Sequence, residues 1–244
     1  MAEVGDESRN SADDEYDPIL SGDGMSDYER YLRTDELLKL QKTAAERSHH
    51  DELLFQTVHQ SSELWLKHAT VEVETATELL QADDLAGAIR LLRRATLGIR
   101  LVIGQLEMLE QMSPWEYQEV RRVLGHGSGF DSPGFRSVAG VSPPLGVAFF
   151  AKLRAEGLSV VELYQRGREF EQLYQLAELL IDWDERISLW RSHHFKVVER
   201  IIGADVVGTQ GTPVELLKNL PDRQFYPRLW KARTALTEAA KLEE

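Results

Sequence analysis

Phe55, His59 and Glu63 recur at four-residue intervals in a run whose apolar residues follow a helical period. On an α-helix that spacing stacks the three side chains along one face. An imidazole placed there can accept a hydrogen bond, move a proton or hold a metal. Tyr117 and Arg121 repeat the interval with a phenol and a guanidinium, whose planar fork suits a carboxylate. A third candidate is Trp190-Arg191-Ser192-His193-His194. Neighbouring helical residues point about 100° apart, so at most one of the two histidines faces a given site. Taken singly, each feature has a plainer explanation. A lone helical histidine is more often a surface or hydrogen-bonded structural residue, and Tyr117 and Arg121, beside Arg122, fit a solvated helix face.

Other chemistries are excluded by what is absent. The chain has no cysteine, which removes thiolate nucleophiles, disulfides, zinc–cysteine sites and cysteine-ligated haem, so any metal must be held by histidine or carboxylate. Gly125-His-Gly-Ser-Gly129 lacks the Lys-Ser/Thr ending of a phosphate-binding loop and follows a helix, not a strand. Ser128 as a hydrolase nucleophile would need a strand before it and a parallel sheet behind it. A formal charge of -13 over 244 residues argues against nucleic-acid partners, which require clustered Lys and Arg. No stretch approaches the roughly 20 apolar residues that span a bilayer, so no membrane partner is expected.

The elements that must position these residues read as helices. Residues 1–25 are acidic and rich in Ser, Asp and Gly, without the basic and apolar parts of a secretory signal. They are expected to form a disordered N-terminal arm, and the protein is expected in the cytoplasm. Residues 26–244 are expected to form a single all-α domain. Thr34 is a plausible N-cap for a helix through Leu37, Leu38 and Leu40, and a long helix follows from Asp51 to about Gln81, broken by Asp83-Asp84. The next, Leu85 to Met112, carries Ile89, Leu92, Leu97, Leu101, Ile103, Leu106 and Leu109 on apolar stripes. Ser113-Pro-Trp-Glu116 reads as a helix start with a capping box. Residues 125–140 read as one long functional loop. Helical periodicity resumes at about Leu145–Glu156 and from Leu158 to Ile202, with Gly203 as C-cap. A second loop covers Val206–Pro213, followed by helical segments at about Val214–Asn219 and Phe225–Lys241.

Four blocks, in order, carry a resemblance. They are Tyr28-Glu-Arg-Tyr31-Leu32; residues 50–67, His-Asp-Glu-Leu-Leu-Phe through His-Gln-Ser-Ser-Glu-Leu-Trp-Leu-Lys; Met112–Ser132, with Pro-x-Glu-Tyr, Val-Leu-Gly and Ser-Gly-Phe; and Leu189-Trp190-Arg191 with His194, Arg200-x-Ile202-Gly203 and Gly208-Thr209. Together they resemble the haem-dependent tryptophan 2,3-dioxygenase family over about Tyr28 to Gly211. The resemblance implies a helical bundle enclosing haem b, with ferrous iron, O2 as co-substrate and conversion of L-tryptophan to N-formyl-L-kynurenine. His194, not His193, matches the axial iron ligand, and His59 the distal histidine that contacts the indole N–H. Phe55 matches a wall against the indole, Arg121 the clamp on the substrate carboxylate and Tyr117 a partner in the same pocket. Ser128 matches a distal-pocket hydroxyl, and Thr209 a contact to the substrate ammonium or carboxylate. Tyr28, Tyr31 and Leu32 match a segment that enters a neighbouring subunit, implying a homotetramer, a dimer of dimers with N-terminal segment exchange.

The chain departs from that pattern in two places. Between Phe130 and His194 it is shorter than the family, with Pro143 to about Asp182 filling the region, and His126 stands where histidine is unusual. These departures motivate an alternative: a specialised-metabolism oxygenase of a substituted tryptophan, such as methyltryptophan, inserting one oxygen to give an oxindole-type product. A further alternative is a non-catalytic haem-binding helical protein. Retention of Phe55, His59, Tyr117, Arg121, Ser128, His194 and Thr209 together argues against it.

Overall fold

The computed structural model describes residues 17–211 and 213–241. The expected disordered arm therefore lies mostly outside the described residues. Within 17–25, the backbone N–H groups of Ile19 and Leu20 donate to Asp27, at 3.1 and 2.7 Å, and Arg30 donates to the carbonyls of Leu20 and Gly24.

The chain divides into two compact units at Glu46/Arg47. The first contains α1 (Asp27–Leu32) and α2 (Thr34–Leu37). Ser26 caps α1, with Glu29 completing a capping box. Thr34 is the first residue of α2, not its cap. Arg33 precedes it in the left-handed region, at φ 53°, and so turns the chain sharply between the two helices.

The second unit holds α3 (Glu52–Gln81), α4 (Leu85–Leu109), α5 (Tyr117–Val123), α6 (Pro133–Ala155), α7 (Val160–Gln165), α8 (Glu171–Ile202) and α9 (Pro227–Lys241). Two 3-10 turns, Gly129–Asp131 and Val214–Asn219, lie between them. Among the described residues there is no strand, only an isolated antiparallel bridge between Val207 and Pro213, and the fold is all-α. No helix among them is long and apolar enough to cross a membrane. Packing of α3 along α4 and α6, and of α4 along α8, builds the main core. On α3 the fully buried residues Leu66, Ala69, Val73, Ala76 and Leu80 alternate three- and four-residue steps, which keeps one stripe facing its neighbours. Ala88, Leu92, Ala95, Ile99 and Val102 do the same on α4. Burying each leucine contributes about 1.5–3 kcal/mol. The expected α4 stripes are only partly buried: Ile89, Leu92, Leu106 and Leu109 face the core, while Leu97 and Leu101 lie on the far side and are exposed.

Several boundaries differ from expectation: the run expected as helical from Leu158 to Ile202 is broken at residues 166–170, and α2 ends at Leu37, short of Leu40. The Ser113–Glu116 segment forms a turn whose Ser113 carbonyl accepts from Tyr117 N at 2.9 Å, and α5 begins one residue later. More consequentially, α6 starts at Pro133, so the glycine-rich loop ends at Ser132 instead of Gly140. Ser132 caps α6 and proline occupies its first turn, where a missing N–H is harmless. Gly134 is there for closeness: a Cβ would stand 2.7 Å from Leu66 Cβ and 2.7 Å from a Glu63 oxygen. Pro143 and Pro144 lie inside α6. Beside them, Ser142 Oγ donates to the Val138 carbonyl at 2.7 Å and accepts from Trp183 Nε1 at 2.9 Å, while the buried Tyr226 hydroxyl donates to the Ser142 carbonyl at 2.9 Å. The Tyr226 ring occupies the side of α6 left open by Gly146, 2.9 Å from where a Cβ would be.

Candidate active site

A smaller core cluster, Val58, Leu106, Leu109, Met112, Val120, Val197 and Ile201, joins the N-terminal part of α3 and the end of α4 to α5 and the last third of α8. It fixes the three helices that carry the candidate residues. Between them lies a mostly apolar cavity of about 730 Å³, lined by Phe55, His59, Tyr117, Arg121, Ser128, His194 and Thr209 among others. That volume lies within the roughly 300–1,000 Å³ usual for ligand pockets. All of its lining residues belong to the second unit. Tyr28, Tyr31 and Leu32 lie on α1 with exposed side chains, and His126 is exposed and not part of the lining.

His59 takes a defined role from its neighbours. Its Nδ1 lies 2.7 Å from the Phe55 carbonyl, which can only accept, so the proton sits on Nδ1. Burial pushes the imidazole below its ordinary pKa, and the neutral ring keeps a lone pair on Nε2. The Phe55 ring lies 4.0 Å from the His59 ring and 6.0 Å from that of Tyr117, forming a continuous aromatic wall. Burial raises the Tyr117 pKa, against the opposing pull of Arg121, so its phenol stays protonated. Glu63 extends the face of Phe55 and His59, yet its carboxylate holds elements together: it accepts from Ser132 Oγ at 2.5 Å and from Gly134 N at 2.8 Å.

The two histidines of α8 separate cleanly. His193 turns to Glu110, its Nε2 2.7 Å from the carboxylate. His194 lines the cavity and stacks on Trp190, with ring centroids 4.9 Å apart, and Trp190 stacks in turn on Phe135 at 3.6 Å. Burial, reinforced by the nearby charges of His59 and His193, lowers the His194 pKa to about 4, so it presents a neutral imidazole. Nε2 and Cε1 of His194 face the glycine-rich loop, at 3.9 Å from a Cβ built on Gly129. Among the described residues no group of three His, Asp or Glu could chelate a bare ion. A single neutral imidazole on an apolar cavity is the kind of donor that a porphyrin iron takes, and the residues present fit haem b.

Two loops cover the polar side. Ser128 begins the 3-10 turn, accepting from Phe130 N at 3.3 Å, and Asp131 accepts from Ser128 N. The 206–213 loop is tied to it by Thr209 Oγ1 donating to the Gly127 carbonyl and by Gln210 Nε2 donating to Asp131 at 2.5 Å. Arg121 Nη2 donates to the Val207 carbonyl at 2.6 Å. Gln210, Phe135, Trp190, Arg136, Arg191 and Arg223 are lining residues that sequence reasoning did not assign. Trp190 and Arg191 had a signal, since both fall in the Leu-Trp-Arg block. Gln210 and Arg223 had none.

Comparison with known proteins shows the family. The family model described as tryptophan 2,3-dioxygenase matches residues 15–148 and 145–236. The chain is 33% identical to the tryptophan 2,3-dioxygenase of Bacillus thuringiensis subsp. konkukian, with 86% of this chain and 92% of the relative covered. To that of Caulobacter vibrioides it is 34% identical, with 86% and 98% covered, and to that of Myxococcus xanthus 32%, with 88% and 91%. The first alignment runs over 260 positions, more than the 244 residues of this chain, so that relative carries internal sequence this chain lacks. The two matched segments meet at 145–148, inside the unbroken helix α6.

Proposed function

The chain belongs to the tryptophan 2,3-dioxygenase family, and from that premise we propose that it oxidises the indole ring of L-tryptophan with O2 to N-formyl-L-kynurenine, using ferrous haem b held by His194. The observation that carries this reading is the meeting, on one apolar cavity, of a neutral buried His194, a neutral His59 with its lone pair on Nε2, and the carboxylate-seeking Arg121. Haem bound at His194 would supply O2 binding and the redox step. The protein's part is to bind, orient and exclude water. The indole N–H donates to His59 Nε2, and the ring lies against Phe55, with Tyr117 lining the same pocket. Arg121 takes the substrate carboxylate. With five N–H donors it keeps its bond to Val207 while doing so. Ser128 and Thr209 present hydroxyls from the two covering loops, Thr209 towards the amino-acid end of the substrate. Holding the reacting carbons in place lowers the entropic part of the barrier.

The native assembly is proposed to be a homotetramer in which Tyr28, Tyr31 and Leu32 enter a neighbouring subunit. Their side-chain exposure, 68%, 77% and 45%, and that of Leu97, Leu101 and Met108 on α4 support it, since large apolar groups left in water in this number mark contact surfaces. The mono-oxygenating alternative is not favoured, because the relatives carry the name tryptophan 2,3-dioxygenase.

The test is incubation of the ferrous, haem-loaded protein with L-tryptophan and O2, followed by product mass and absorbance. A product heavier by two oxygen atoms with the formylkynurenine spectrum is expected. A gain of one oxygen, or turnover of ring-substituted tryptophans alone, would replace this reading with the alternative.

A further inference from the structure

Arg191 stands on α8 three residues before His194, on the adjoining helix face, and lines the same cavity. Its Nη1 donates to the carbonyls of Leu220, at 3.2 Å, and Arg223, at 2.8 Å, and its guanidinium carbon lies 5.4 Å from the centre of the Phe225 ring. The group is therefore held in place, yet among the described residues its Nε and Nη2 edges have no hydrogen-bond partner. Arg223 lines the cavity too, and its charge adds to burial in lowering the Arg191 pKa. The carboxylate that counters Arg191 is Asp184, whose oxygens already accept from Phe225 N, Tyr226 N and Trp230 Nε1. Two guanidinia that line one cavity, neither of them in an ion pair among the described residues, form a positive patch that an anion can join.

We propose that Arg191 and Arg223 anchor the two carboxylates of the porphyrin, an assignment that rests on the haem reading above. The ligand that joins His194 to this patch must carry a metal at its centre and paired anions along one edge, which describes haem b. The open edge of Arg191 offers the two-point geometry that carboxylates take from guanidinium. The amino-acid substrate has one carboxylate, for which Arg121 is already the candidate.

The test titrates the full-length protein, freed of haem, with haem, with haem dimethyl ester and with iron-free protoporphyrin, following the Soret band or fluorescence quenching. The wild type should prefer haem to its ester. Arg191→Gln and Arg223→Gln should each weaken haem and protoporphyrin roughly ten- to a hundredfold, as expected for loss of a charge-assisted hydrogen bond, and leave the ester unchanged. Arg191→Lys, which keeps the charge, should restore part of the preference. Arg223→Gln alters an exposed side chain and so reports even where Arg191→Gln fails to fold. Equal weakening of haem and ester, or none, overturns the proposal. A rise in KM for L-tryptophan with the haem-over-ester preference intact also overturns it, by giving the cations to the substrate. A wild-type chain that shows no Soret band with haem would instead remove the haem reading itself.

Discussion

At the scale of single residues, the site depends on two imidazoles on the cavity wall, each with its pKa lowered by desolvation and each doing different work. His194→Ala should abolish the Soret band of the reconstituted protein, and haem retained at wild-type affinity would refute it as the axial ligand. Arg121→Ala should keep haem and lower kcat/KM for L-tryptophan roughly ten- to a hundredfold, read from steady-state kinetics beside the unchanged haem spectrum. His59 gives a pH prediction. Its useful form is neutral and its pKa is lowered, so activity present above the ordinary value of 6.5 persists as pH falls and is lost only at the lower, native pKa. The acid limb of kcat/KM should therefore lie below pH 6.5, and His59→Asn should remove it. Some of this was legible in the sequence. Four-residue spacing put Phe55 with His59 and Tyr117 with Arg121 from period alone. The choice of His194 over His193 came only from the resemblance, because period says that two adjacent histidines diverge without saying which turns inward. Glu110, which draws His193 away, is 83 residues distant in sequence.

At the scale of elements, the helices of the main core followed from apolar periodicity, and the start of α6 did not. Ser132-Pro133 is a cap followed by a first-turn proline, but Gly134, Gly140 and the Pro143-Pro144 pair imitate a loop. The reason for Gly134 is tertiary: it admits Leu66 and Glu63 of α3, whereas Gly140 meets nothing within 4 Å and Pro143 and Pro144 lie exposed beside the buried Ser142. Gly134→Ala should accordingly destabilise the protein by about 1–3 kcal/mol, the usual cost of overpacking, measured as a shift in the denaturation midpoint. The same change in open helix, at Gly140, meets nothing within 4 Å and should be neutral or slightly stabilising.

At the scale of the whole molecule, assembly is the property least written in local pattern, since an exposed leucine and a buried one share the same period. Leu97 and Leu101 looked like core residues in sequence and lie on the outer face of α4. Replacing both with glutamate should shift the sedimentation of the holoprotein to smaller species while leaving the Soret band in place, and an unchanged tetramer would show that this face is not the contact. The seam in α6 carries a consequence of another kind. Where the two segments matched by the family model meet, this chain runs one continuous helix, and Tyr226 occupies the space beside Gly146. A stretch inserted there would interrupt the helix and displace an aromatic ring at once. The middle of α6 is thus a place where the present packing leaves little room for added sequence.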